Sequence, residues 1–520
     1  MWTTEGFTRR KVRKEEGIIA PHRSLIAVFL ALTVWGCGSP PPPPPPVADE
    51  PTSDRPVLEG TEFEKVEIVA QTDQGETLWR IRADRGTGTL SEDNAQTDLR
   101  NVEATLYQKE EPAVVLIGST GRADEKAGEI AVEGNVRARA VDGSASLSCD
   151  RIKWNRDARL LSAYGNVTGR LGTLSFDSAD QVRARFDNKE GDVKGTSLML
   201  VSAFVIGQGV TFRSPEVELD AKSLTARYAD NRTRLVWEGS GTPFRAYWKA
   251  QDLTVTGSNF RITQSVRQEG GREVLALQSG VFSGNVSARW TPAGDTVTLT
   301  GLSEWTVTVQ QQERRWNAAG KGAPIRFESK ANNLKATGAT LSSQGTLDAR
   351  GGATAMAVEK LSLTNATVDL QLQDGPATLR NLNDFTFTQT SGAWQAVGTG
   401  NRLQIEYPAK EFVLQAAKAT LKGVTGQNPG AYEWQTADLE GNVEAVVVVT
   451  QGDQKQRLRA TAPSASLDRQ AAILTLAGDL TLSGNLTLLG GGETTVTSPS
   501  IRVQFDPTLT EVVRIEMSTP

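Results

Sequence analysis

Histidine is the side chain that most often moves protons near neutral pH, and this 520-residue chain has one, His22. It lies just before an apolar run at the N-terminus, so the sequence beyond residue 37 holds no Ser-His-Asp or Cys-His pair, no His general base and no ordinary zinc ligand set. Two cysteines, Cys37 and Cys149, leave no disulfide framework inside a folded body. Cys149 has neither a histidine nor a second thiol for company and reads as a passive strand position. Carboxylate pairs such as Glu110-Glu111 and Asp49-Glu50 read as solvated. Gly490-Gly491-Gly492 is not followed by Gly-Lys-Ser/Thr, which makes it a hairpin or bulge, not a phosphate loop. The expectation is no catalytic residue, no metal site, no cofactor and no enzyme.

Cys37 offers a different chemistry. Arg9, Arg10, Lys11, Arg13, Lys14 and Arg23 form a positive n-region ahead of the apolar run Leu25 to Trp35, which Gly36 and Cys37 follow. The run is shorter than the roughly 17–25 residues a spanning helix needs, so residues 1–36 read as a cleaved signal. Val34-Trp35-Gly36-Cys37 resembles the bacterial lipobox, in which the cysteine becomes the acylated first residue, and Cys37 is the expected lipid-attachment site. Seven prolines, Pro40 to Pro46, follow within a linker over 37–56. Such a run is a semi-rigid polyproline II spacer of about 3.1 Å per residue. It suits a body held off a membrane, and the expected location is the periplasm, membrane-anchored as a lipoprotein.

From about residue 57 the pattern has period two, the signature of half-buried antiparallel strand. Val66, Ile68 and Ala70 share a face, as do Trp79, Ile81 and Ala83, and Ile130, Val132, Val136 and Ala138. Near the end Ile501, Val503 and Phe505 alternate with Arg502, Gln504 and Asp506. Turn dipeptides Asp142-Gly143 and Asp374-Gly375 separate runs, and sustained helical spacing is missing. The expected fold class is all-β: an elongated antiparallel jelly-roll, or stacked two-sheet slit. Its lining is expected from the inward residues Val66, Ile68, Trp79, Ile81, Val136, Ala138, Ile501, Val503 and Phe505, whose alternative reading is plain core packing. The small inward residues Ala138 and Ala140 favour room for a ligand.

A weak repeat runs through the chain. Gly134-Asn135-Val136, Gly165-Asn166-Val167, Gly284-Asn285-Val286 and Gly441-Asn442-Val443 each read as the opening of a strand after a turn. Repeated β units that cannot each close a core imply a stacked, extended body. On this reading about 30 strands form two facing sheets, some 70 Å long at about 4.8 Å per strand.

Two stretches carry a family resemblance. The first is Gly128-Glu129-Ile130-Ala131-Val132-Glu133-Gly134-Asn135-Val136, then Cys149-Asp150-Arg151-Ile152-Lys153-Trp154-Asn155, then Ala163-Tyr164-Gly165-Asn166-Val167. The second is Ala437-Asp438-Leu439-Glu440-Gly441-Asn442-Val443 with Leu474-Thr475-Leu476-Ala477-Gly478-Asp479-Leu480 downstream. They resemble the OstA-like family of lipopolysaccharide-transport proteins, with an LptC-like module over 57–190, central β modules over 191–425 and an LptA-like module over 426–520. The resemblance implies a β-jelly-roll of V-shaped or slit section, with acyl chains between its walls and modules joined end to end by strand pairing. The expected partners are lipopolysaccharide or a related glycolipid, other transport-bridge proteins through the terminal strand edges, and the membrane through the lipid anchor. The expected function is transport of that lipid across the periplasm to the outer membrane by a tethered bridge component. The chain departs from the family in its length, its proline-rich start and its acidity. Beyond residue 36 it has 50 basic and 58 acidic residues, a formal charge of −8, which argues against nucleic acid as a partner. The alternative is a structural or adhesive envelope protein of repeated β modules, with a β-helix polysaccharide lyase third.

Overall fold

The computed structural model describes residues 58–518 apart from 72–74, 92–93, 109, 125–126, 144, 172–173, 189–197, 231, 270–271, 292–295, 331–332, 351–352, 373–374, 391, 426–431, 452–453, 486–492 and 510–511. The expected signal over 1–36, the expected spacer over 37–56 and Cys37 lie outside these residues. The all-β expectation holds: twenty-five strands run from β1 (Leu58–Gln71) to β25 (Val512–Met517), with no α-helix among the described residues. Each strand pairs antiparallel with the next in the chain, from β1 with β2 (Thr77–Ser91) to β24 (Glu493–Phe505) with β25, making one continuous sheet. Consecutive antiparallel pairing needs only short turns. Asp142-Gly143 makes one of them, between β5 (Glu129–Ala140) and β6 (Ala145–Asn155), with Gly143 at φ +72°.

The expected 30 strands in two sheets are corrected to one sheet of 25. The error lies in the Gly-Asn motifs, which sit at strand centres and not at strand starts. Gly134 and Asn135 have φ of +80° and +51° in the middle of β5. The same pair of left-handed residues recurs at Gly165-Asn166, Gly284-Asn285 and Gly441-Asn442. Pairing continues on both sides: Glu133 faces Arg151, then Val136 faces Cys149, so β5 spends one residue more than β6 across the bend. That is a β-bulge, which bends the strand while keeping it in the sheet. Nearly every strand pair carries such a shift near its middle, as at Ser240/Phe244, Lys321/Ile325 and Thr399/Leu403.

The bulges line up into a crease, and the sheet folds along it into two leaves. Burial shows the crease in β15 (Arg315–Ser329), where Trp316, Ala318 and Gly320 are buried before the bend and Ile325, Phe327 and Ser329 after it. Both halves therefore face the same interior. With no α-helix and no second sheet among the described residues, each leaf is covered by the other. Ring contacts prove the fold-over. Phe412 in β20 (Phe412–Thr425) and Phe505 in β24 lie 5.7 Å apart, whereas four strands of a flat sheet would separate them by roughly 19 Å. A backbone bridge joins Leu372 at the end of β17 (Ala353–Leu372) to Tyr432 at the start of β21 (Tyr432–Gln451). At the crease, a branched side chain lies over a glycine of the neighbouring strand. A Cβ on Gly320 would stand 2.4 Å from Leu302 Cδ2, and one on Gly398 2.5 Å from Leu382 Cδ2.

Candidate lipid-binding interior

Following the register from strand to strand shows what the interior offers. On one leaf, directly opposed residues run Ile68, Ile81, Ala104, Leu116, Ala138, Leu147. The row continues through Gly169, Phe176, Phe212, Leu219, Ala246 and Val255. Ala288, Leu299, Phe327, Ala336, Val368 and Leu379 carry it on. It ends with Ile405, Leu414, Ala445, Ala460, Leu482 and Val496. One residue from each strand from β1 to β24 takes part, and none is polar. Adjacent strands stand about 4.8 Å apart, so the row spans roughly 110 Å, longer than the two-sheet count predicted. The facing leaf carries a matching row, which passes Leu99, Val132, Ile152, Val205, Phe282 and Leu363 and ends at Ile501 opposite Met517.

The structure buries all nine expected lining residues, at 9% exposure or less. It does not bring them together. Val66, Ile68, Trp79, Ile81, Val136 and Ala138 belong to a first core cluster, Val66 to Val210, whereas Ile501, Val503 and Phe505 belong to a second, Leu219 to Leu509. What joins the two groups is the central ladder, which sequence reasoning left unassigned. Its signal was present in the alternation of residues 191–425, but the partners across strands were not.

The interior is packed. Phe244 and Phe260 meet at 5.0 Å, and Trp248 meets Phe282 at 6.0 Å, in each case from opposite leaves. The indole N–H groups of Trp248, Trp290, Trp305 and Trp434 are buried without a hydrogen-bond acceptor among the described residues, each an expense of about 1–3 kcal/mol. The first cluster is looser: Leu106, Val114, Leu147, Leu161 and Phe176 are half-buried along its margin. Two shallow recesses of about 400 and 420 Å³ lie on the outside, lined by polar residues such as Thr306, Asn317 and Gln344, and Asn365, Asn381 and Asn401.

Most charged groups keep to the outer face, and buried Asp187 is held by Arg159 at 2.6 Å. Arg151 pairs with Glu133 at 3.0 Å, Lys153 with Glu129 at 2.8 Å, and Lys418 with Glu440 at 2.9 Å, all between neighbouring strands. The hydrogen bond from Lys153, followed by that from Asn155, holds the Glu129 carboxyl below its usual range. Cys149 is buried opposite Val136, and burial pushes its thiol up to about 11, far from the thiolate a nucleophile needs. No helix among the described residues is long and apolar enough to cross a membrane.

Residues 24–153, about a quarter of the chain, match the family model LptC, described as lipopolysaccharide-assembly, LptC-related. The described part of that match spans β1 to β6 of the sheet. No curated protein matches the chain. The match falls on the strands that open the apolar ladder, and over those strands the chain is similar to the LptC-related lipopolysaccharide-assembly family.

Proposed function

We propose that the chain relays lipopolysaccharide or a related glycolipid between membranes, its acyl chains passing between the two leaves while the polar head stays in water. The observation that carries this reading is the unbroken apolar ladder from Ile68 to Val496, matched on the facing leaf. A methylene moved from water into such surroundings gains about 0.8 kcal/mol, and a path with no polar rung imposes no desolvation barrier along its length. Because the leaves touch, an acyl chain enters by parting them, first at the half-buried margin of the cluster that includes the LptC-related strands. In the full chain, Cys37 would carry the lipid anchor, the proline run would hold the body away from the membrane, and an LptA-like end over 426–520 would meet the next bridge component in the periplasm. The relay is passive and takes its energy from an ATP-driven partner.

A photo-crosslinking residue in place of half-buried Leu147 tests the reading in cells. Lipopolysaccharide attached to the chain is the expected product. Adducts with protein alone would instead favour a structural envelope role, for which the aromatic packing of the second cluster is the specific support. Anchoring is read separately: palmitate is incorporated into the wild-type chain and lost in Cys37→Ala.

A further inference from the structure

Among the described residues, the two core clusters share one side chain. Phe212, in β9 (Leu198–Arg213), is the half-buried side chain packed against both. Its ring lies 5.8 Å from that of Phe176 in β8 (Leu174–Asn188), its direct partner on the same leaf. On its other side it lies 6.4 Å from Trp237 in β11 (Arg234–Trp248), edge to face, and Trp237 belongs to the opposite leaf. Trp237 is fixed there by its indole N–H, which donates to Gln264 Oε1 at 2.7 Å, and Gln264 is itself buried. Phe176 rests over Gly169, where a Cβ would come within 2.5 Å of the ring. Three rings thus span the interior from leaf to leaf.

The compartments on either side differ in chemistry. Before the rings, the buried members of the first cluster are mainly aliphatic: Trp79 is the one aromatic among them and seven are alanines, with Phe63 at the margin and the Trp154–Phe186 pair, 5.8 Å apart, beside it. Its margin is half open at Leu106, Val114, Leu147 and Leu161. Beyond the rings, Phe244, Phe260, Phe282, Trp248 and Trp305 fill the space between the leaves. Methylene chains pack well against small aliphatic side chains and find room where alanines leave it, whereas close-packed rings must turn aside to admit one.

We propose that β1 to β9 form a loading compartment for the acyl chains of the glycolipid and that Phe176, Phe212 and Trp237 are its end wall, with Phe212 the residue that decides whether a chain passes into the second compartment. This rests on the lipid-relay reading above and adds to it where the cargo stops. Half-buried Phe212 can be truncated without emptying either core.

The test uses the purified full chain and radiolabelled lipopolysaccharide in detergent, with a photo-crosslinker at Leu147 before the wall or at Val309 beyond it, both half-buried. Wild-type chain should give strong label at Leu147 and at least fivefold less at Val309. Phe212→Ala should raise Val309 labelling to near that of Leu147, while Phe212→Trp should keep the wild-type ratio. Equal labelling of both positions in the wild type, or a ratio that Phe212→Ala leaves unchanged, overturns the wall and leaves the lipid relay standing. No lipid label at either position in any variant overturns the relay and the wall with it.

Discussion

Gly320 puts the fold-over to a test of sign. Its backbone lies outside the left-handed region, so alanine there meets no conformational strain. In open space, Gly320→Ala would stabilise the chain by about 0.4–1 kcal/mol, because the unfolded state loses freedom. The crease predicts the opposite. The new Cβ would stand 2.4 Å from Leu302 Cδ2, so the Leu302 side chain must shift, and Leu302, in β14 (Val297–Gln310), is 1% exposed and packed on all sides. Overpacking of that kind costs about 1–3 kcal/mol. Leu302→Ala alone should cost about 2–5 kcal/mol through the lost burial and the space it leaves. In the double variant the added methyl occupies part of that space, so its cost should fall below the sum of the two by about 1–2 kcal/mol. Urea unfolding followed by far-ultraviolet circular dichroism, at fixed protein concentration, reads all four proteins. If Gly320→Ala proved neutral or stabilising, or if the two costs simply added, the side chain over the glycine would not be there and the tight crease would be refuted.

Other outcomes follow from the same geometry. Val255→Asp places a carboxylate on the central ladder at a site of 0% exposure and should destabilise by several kcal/mol, whereas Thr254→Asp, one residue away on the outer face, should change the urea midpoint little. Cys149 should resist iodoacetamide at pH 8 in the folded chain and react once urea unfolds it; ready alkylation of native protein would contradict its burial. The thiol is raised in the folded state from 9.0 to about 11. Stability from keeping it neutral is therefore full below about pH 9 and lost as pH rises toward 11, and Cys149→Ala should remove that part of the alkaline slope. Glu129→Gln removes a partly exposed carboxylate paired with Lys153 and should cost under about 1 kcal/mol, shrinking further in high salt.

How much of this was readable beforehand depends on range. The alternation of Val66, Ile68 and Ala70, or of Ile501, Val503 and Phe505, fixes strand and inward face locally, because successive side chains on a strand point to opposite sides. Strand identity and the burial of the expected lining residues were legible for that reason, as was a strand position for Cys149. The Gly-Asn pairs were read as turns that open strands, whereas they are left-handed backbone inside strands. A glycine and an asparagine at positive φ serve a hairpin or a bulge equally well, and the choice rests on whether pairing resumes beyond them. At Gly134-Asn135 it does, with Val136 facing Cys149.

The strand period, the apolar face and the absence of histidine beyond residue 37 follow from the order of residues alone. That one sheet folds along a crease to cover itself, that the ladder through the central strands is unbroken, and that Phe176, Phe212 and Trp237 meet across the interior follow only from the packed fold. The physical reason is that an apolar strand face requires a cover but does not name it. The cover here comes from residues brought together by register and by the bend, and neither is encoded within any single strand.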